Sequence, residues 1–98
     1  MTINEWCTHI DQWGRGKGFI TSKGNMLAKL MLVVTECAEA AEDVRHERWD
    51  HFPEELADIV IRCFNIAGAL NIDLEKAIET KMEVNHGRPY RHGTKSSA

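Results

Sequence analysis

The 98-residue chain is poor in the features that would mark it for a secreted, membrane or nucleic-acid role. It has three cysteines, Cys7, Cys37 and Cys63. The number is odd and no C-x-x-C spacing occurs, which excludes a disulfide framework and a zinc ribbon. Reduced thiols in a cytoplasmic protein are the simple reading. No apolar run approaches the roughly 18 residues of a membrane span, so no membrane partner is expected. The first residues, MTINEWCTHIDQW, lack the charged-then-apolar layout of a signal peptide. There is no excess of positive charge: the net charge is −3 and the isoelectric point about 5.9, which argues against a stable nucleic-acid partner. GxxxxGK[ST] and GxSxG are missing, so neither a P-loop nor a nucleophile elbow is present. The five histidines, His9, His46, His51, His86 and His92, show no zinc-ligand spacing.

What remains is an ordinary globular composition, 43% hydrophobic and 28% charged, in a chain of one-domain length. We expect a single domain over residues 1–93 and a short polar tail over 94–98. A chain of this size buries roughly 65% of its unfolded surface, so its core is modest.

Apolar residues recur at helical spacing from Ile3 through Trp6, Cys7 and Ile10 to Trp13. A glycine-rich connection, GRGKGFITSKGN, covers residues 14–25. The longest helical segment runs from 26 to 47, and RHERWDHF, 45–52, contains the break. Pro53 suits the first turn of a further helix to about Ala69, with Glu54 and Glu55 favoured there by the helix dipole. Asp73 is placed to N-cap a last helix over 74–85. No segment sustains strand alternation. The expected class is all-α, a four-helix bundle.

The stretch TECAEAAEDV, 35–44, continues the apolar run MLAKLMLVV into a row of acids. At 100° per residue, Leu27, Leu30, Val34, Ala38 and Ala41 share one stripe, while Leu32 lies near the line of Glu36 and Glu39. A helix apolar on two sides needs two neighbours, which implies its own bundle and a second subunit. On the third helix Leu56, Val60, Cys63, Ala67 and Leu70 form the core stripe, and Glu55, Asp58, Arg62 and Asn65 a separate polar one. Glu36 with Glu39, and Glu55 with Asp58, are side-by-side pairs three residues apart. On antiparallel helices the two pairs can face each other. Four converging carboxylates repel unless a hard cation such as Mg²⁺ joins them. On the last helix Lys81, Asn85 and Arg88 share the stripe of Leu74, Ala77 and Ile78, a face that begins apolar and ends in phosphate-suited groups. Solvated acid pairs and dipole-complementing cations are common singly; it is their combination in one small all-α chain that points to a site.

These residues resemble a known family. TECAEAAEDV followed by PEELADIVIRCFNIAGALNIDLEKAIETKMEVNHGRPY is similar to the MazG-like all-α nucleoside triphosphate pyrophosphohydrolases, including the dCTP pyrophosphatase branch, over residues 25–91. Glu36 and Glu39 match the first acid pair of the family, Glu55 and Asp58 the second, and Lys81, Asn85 and Arg88 the later phosphate-side elements. Thr35 stands where the fuller EExxE form has a further glutamate. The resemblance implies a helical bundle assembled as a homodimer or homotetramer. It implies Mg²⁺, or Mn²⁺ in its place, bound by Glu36, Glu39, Glu55 and Asp58, with Glu36 or Glu39 as the catalytic base. It implies hydrolysis of a (deoxy)nucleoside triphosphate to monophosphate and pyrophosphate. The motif does not fix which aromatic group contacts the base. Trp6 and His9 are the first candidates, with Trp13 and Trp49 behind them. The alternatives are phosphoribosyl-ATP pyrophosphohydrolysis, or a non-catalytic helical module whose acid face binds a basic partner.

Overall fold

The computed structural model describes residues 1–90, and the expected tail over 94–98 lies outside them. Among the described residues there are four α-helices and no strand: α1 Ile3–Gly16, α2 Met26–Arg45, α3 Phe52–Ala69 and α4 Leu74–His86. A single 3₁₀ turn, Lys23–Asn25, leads into α2.

The local signals account for most of the boundaries. Thr2 and Glu5 close a reciprocal capping box: Thr2 Oγ1 accepts from the Glu5 amide at 3.1 Å, and Glu5 Oε1 accepts from the Thr2 amide at 2.7 Å. Pro53 stands in the first turn of α3, where its missing N–H costs no hydrogen bond. Asp73 caps α4 by accepting from the Lys76 amide at 3.1 Å. α1 runs three residues past its expected end at Trp13. Gly14 and Gly16 belong to the helix, and the reversal comes at Gly18, whose φ of +87° a side chain would resist.

α3 is the central element, packed against α1 on one side and α2 on the other. Its crossing with α1 is tight enough to need a glycine: a Cβ on Gly68 would lie 2.1 Å from the Cys7 carbonyl oxygen. α4 packs against α1. It is pinned by Asn4, whose Nδ2 donates to Asp73 Oδ1 at 2.8 Å and whose Oδ1 accepts from the Glu75 amide at 3.2 Å.

The acid side of α2 faces α3, as the facing acid pairs required, and its apolar stripe does not; two expectations, for the stripes of α3 and α4, need correction. Leu27 is 82% exposed, and Leu30, Val34, Ala38 and Ala41 are exposed with it. Ala40 and Asp43 are the buried residues of α2, on the acid side of the helix. On α3, Leu56, Val60 and Cys63 are also exposed, and only Ala67 of that stripe is buried. The short connection between α2 and α3 sets this rotation by clamping Asp43 inward, as described below. The last helix likewise has no buried residue, so the stripe of Leu74, Ala77 and Ile78 is not interior to this chain. The buried apolar set is small: Cys7, Ile10, Ala40 and Ala67.

Gly68→Ala should therefore destabilise the fold by about 3 kcal/mol, the upper part of the overpacking range, because backbone rather than a movable side chain blocks the added methyl. Urea denaturation followed by circular dichroism measures it; a loss within the roughly 1 kcal/mol effect of an ordinary surface change would contradict the tight crossing.

Candidate active site

The connection over residues 46–51 brings α2 and α3 together antiparallel, and one buried acid organises it. Asp43 is 3% exposed. Arg48 Nε donates to its Oδ1 at 2.9 Å, His51 Nδ1 lies 2.9 Å from its Oδ2, and the Arg48 amide donates to its carbonyl at 2.8 Å. Glu47 completes the turn with a φ of +56°. The hydrogen bond from His51 holds the Asp43 carboxyl below its ordinary value, with Arg48 adding to it. The same bond and the surrounding acids Glu54 and Glu55 push the His51 imidazole up, toward its charged form. This clamp was not legible in the sequence, because Asp43 and His51 fit no motif and become neighbours only through the turn.

Above the clamp sits the acid cluster. Glu36, Glu39 and Glu55 each offer a carboxylate oxygen, and these oxygens lie within 4.8 Å of one another. Asp43, His51 and Glu55 form a second such trio, so Glu55 belongs to both. Glu55 is 8% exposed, and its Oε2 is buried without a hydrogen-bond partner. Burial first, then the charges of Asp43 and Glu39, push the Glu55 carboxyl above its ordinary value. A carboxylate that is buried, incompletely bonded and crowded by like charge could serve a cation as an oxygen donor. The donor set is all oxygen in the first trio, which suits a hard divalent ion.

The structure thus brings three of the four expected acids together. Asp58, one turn along α3, lies on the wall of a neighbouring cavity of about 500 Å³. The cavity opens between α1, α2 and α3. Its walls include the aromatic groups His9, Trp13 and Phe19, the cations Lys29 and Arg62, and the amide of Asn65. Arg62 also reaches across to α2, with Nε 3.4 Å from Glu36 Oε1. The polar stripe of α3 therefore runs from the acid cluster, past Asp58 and Arg62, into an aromatic-lined space.

The remaining expected residues are placed as follows. His9 lines the cavity, whereas Trp6 packs edge-on against His9 at a ring separation of 6.0 Å and is not on its wall. Trp49 packs against Phe52. Lys81 and Asn85 lie on α4 and Arg88 just beyond it; none of the three lines this cavity or is among the groups that act on Glu55. Lys29 and Phe19 were given no role by the sequence. Lys29 is seven residues before Glu36, two turns along the same helix face, which is the signal that could have found it.

The family model of the MazG nucleotide pyrophosphohydrolase domain matches residues 25–92. The chain belongs to the MazG family. Nucleotide pyrophosphohydrolysis is thereby its activity class, and the matched span carries α2, α3 and α4 with both acid pairs. No curated protein and no solved structure matches the chain. As a MazG protein it presents the acidic cluster that a divalent metal would need.

Metal binding has a measurable sign. A divalent cation at 100 times its dissociation constant should add about 2.7 kcal/mol of stability, seen as a rise in melting temperature. Glu55→Gln should remove that rise and, by relieving buried like charge, leave the metal-free protein at least as stable as the wild type. Because the Glu55 carboxyl is raised in the folded state, its protonated form contributes stability below the ordinary glutamate value, and this contribution is lost as pH rises through the raised value. The proton and the metal compete for the same oxygens, so the metal-induced rise should shrink as pH falls through that window. A metal effect that is flat with pH, or retained in Glu55→Gln, would place the ion elsewhere.

Proposed function

We propose that this protein is a Mg²⁺-dependent nucleoside triphosphate pyrophosphohydrolase, cleaving between the α and β phosphates to give a nucleoside monophosphate and pyrophosphate. The observation that carries the reading is the continuity of the acid cluster with the aromatic-lined cavity through Asp58 and Arg62. One end suits a metal-bound triphosphate and the other a base. Glu36, Glu39 and Glu55, with Asp58 beside them, would hold Mg²⁺, which would supply positive charge against the phosphate oxygens. Glu36 is already engaged by Arg62, whereas Glu39 is more exposed and has no hydrogen bond or ion pair among the described residues. Glu39 is therefore the acid we assign to take the proton of the attacking water. Arg62 and Lys29 supply positive charge along the cavity wall, where the guanidinium can offer a planar fork to a phosphate. Trp13, Phe19 and His9 provide faces for a base. The phosphate-side role that the family resemblance gives Lys81, Asn85 and Arg88 would require an assembled oligomer to bring α4 to the cavity.

We further propose that the protein is a homo-oligomer of the cytoplasm, a dimer in the simplest case. Leu27, Leu30, Met31 and Val34 on α2 and Leu56 and Val60 on α3 are all exposed in a single chain. Apolar surface of this extent on two adjacent helices is what a second copy would bury.

Pyrophosphate release from a panel of ribo- and deoxynucleoside triphosphates, with Mg²⁺ and with EDTA, tests the activity. Glu39→Gln and Asp58→Asn should each lower turnover by at least about 100-fold, the scale of a lost general base, with helical circular dichroism retained. Turnover within a few-fold of wild type in both variants would remove the assignment. For assembly, the double substitution Leu30→Asp with Val34→Asp should reduce the mass found by light scattering to that of one chain. A wild type already monomeric at micromolar concentration would refute the oligomer.

A further inference from the structure

The cavity is lined by a side-chain amide that a buried hydroxyl holds from behind. Thr21, in the loop between α1 and α2, is a polar residue only 3% exposed. Its Oγ1 donates to Asn65 Oδ1 at 2.5 Å. A carboxamide has one acceptor end and one donor end, so binding Oδ1 to the Thr21 hydroxyl leaves Nδ2 as the end available to a ligand. Nδ2 lies beside Gly14, 3.5 Å from where a Cβ on that residue would stand, and Gly14 and Asn65 both line the cavity. No hydrogen bond from Nδ2 to another group is found among the described residues. Asn65 is seven residues beyond Asp58 on α3, roughly 10 Å at 1.5 Å per residue. With triphosphate at Asp58, that distance falls at the base rather than at the sugar.

We propose that Asn65 reads the base of the nucleotide, donating through Nδ2 to the carbonyl at C4 of a pyrimidine or C6 of a purine. Thr21 acts as the positioning residue that holds the amide in this sense. The class selected is keto bases (uracil, thymine, guanine, hypoxanthine) over the amino bases cytosine and adenine, whose exocyclic N–H groups would meet another donor. The proposal rests on the reading of the cavity as a nucleotide site. A donor matched to a carbonyl is worth on the order of tenfold against the amino analogue.

The test compares uridine with cytidine triphosphates in two ways: pyrophosphate release with Mg²⁺, and calorimetric binding of their non-hydrolysable α,β-methylene analogues. Wild type should favour the uridine form about tenfold in both. Asn65→Asp, which presents acceptors, should reverse the preference. Thr21→Val should flatten the ratio, because the amide is then free to turn over, and Thr21→Ser should restore it. A purely structural role for Thr21 would weaken both nucleotides equally and leave the ratio alone. Uridine analogues favoured in binding without pyrophosphate release would keep the base assignment and overturn the hydrolase reading. Release with a ratio unmoved by Asn65→Asp and Thr21→Val would overturn the base assignment and keep the hydrolase. Binding of neither nucleotide would overturn both.

Discussion

Glu55 is a buried carboxylate with an oxygen that has no hydrogen-bond partner, set among Glu36, Glu39 and Asp43. An isolated charge in that position opposes folding, and the helices around it are arranged to lessen the opposition. Asp43 places its own two oxygens on Arg48 and His51, so this acid brings a guanidinium and an imidazole with it. Arg62 offers the same to Glu36 from the other side. What these partners leave uncompensated is one oxygen of Glu55 and the like charge of Glu39. The arrangement is one that a cation from solution could complete, at the point where α2 packs on α3.

The same rotation that turns acids inward turns apolar residues outward. A single chain buries Cys7, Ile10, Ala40 and Ala67 and leaves Leu27, Leu30 and Val34 in solvent. Had the apolar stripe of α2 faced α3, the chain would have a larger core and no acid cluster. The preference for the acid side comes from the turn: Asp43 can hold both Arg48 and His51 only if its helix face points at α3. Site and exposed surface are thus two consequences of one helix orientation.

Much of this was legible in the residues. The four helices, the Asp73 cap, Pro53 in the first turn of α3 and the spacing of both acid pairs are local properties, written in side chains within four residues of one another. The α3 stripe from Glu55 to Asn65 was also visible, because a helix face is a matter of counting. Less legible was which face of α2 turns inward, since both faces are apolar at their start and the deciding contacts, Asp43 with Arg48 and His51, cross a turn with a left-handed Glu47. The tight approach of Gly68 to Cys7 was invisible for the same reason: a glycine in a helix shows its purpose only when a second backbone is beside it.

By itself, then, the sequence determined the helical class, the caps, the acid chemistry and the family, because each depends on residue type at short range. The tertiary structure decided which carboxylates meet, that Asp58 and Arg62 join the cluster to an aromatic-lined cavity, and that His9 and Trp13 line that cavity while Trp6 stands outside it. Those outcomes depend on the angle and rotation of whole helices. They are fixed by a few long-range contacts at Gly68, Asp43 and Asn65, whose partners lie far away along the chain or across a turn.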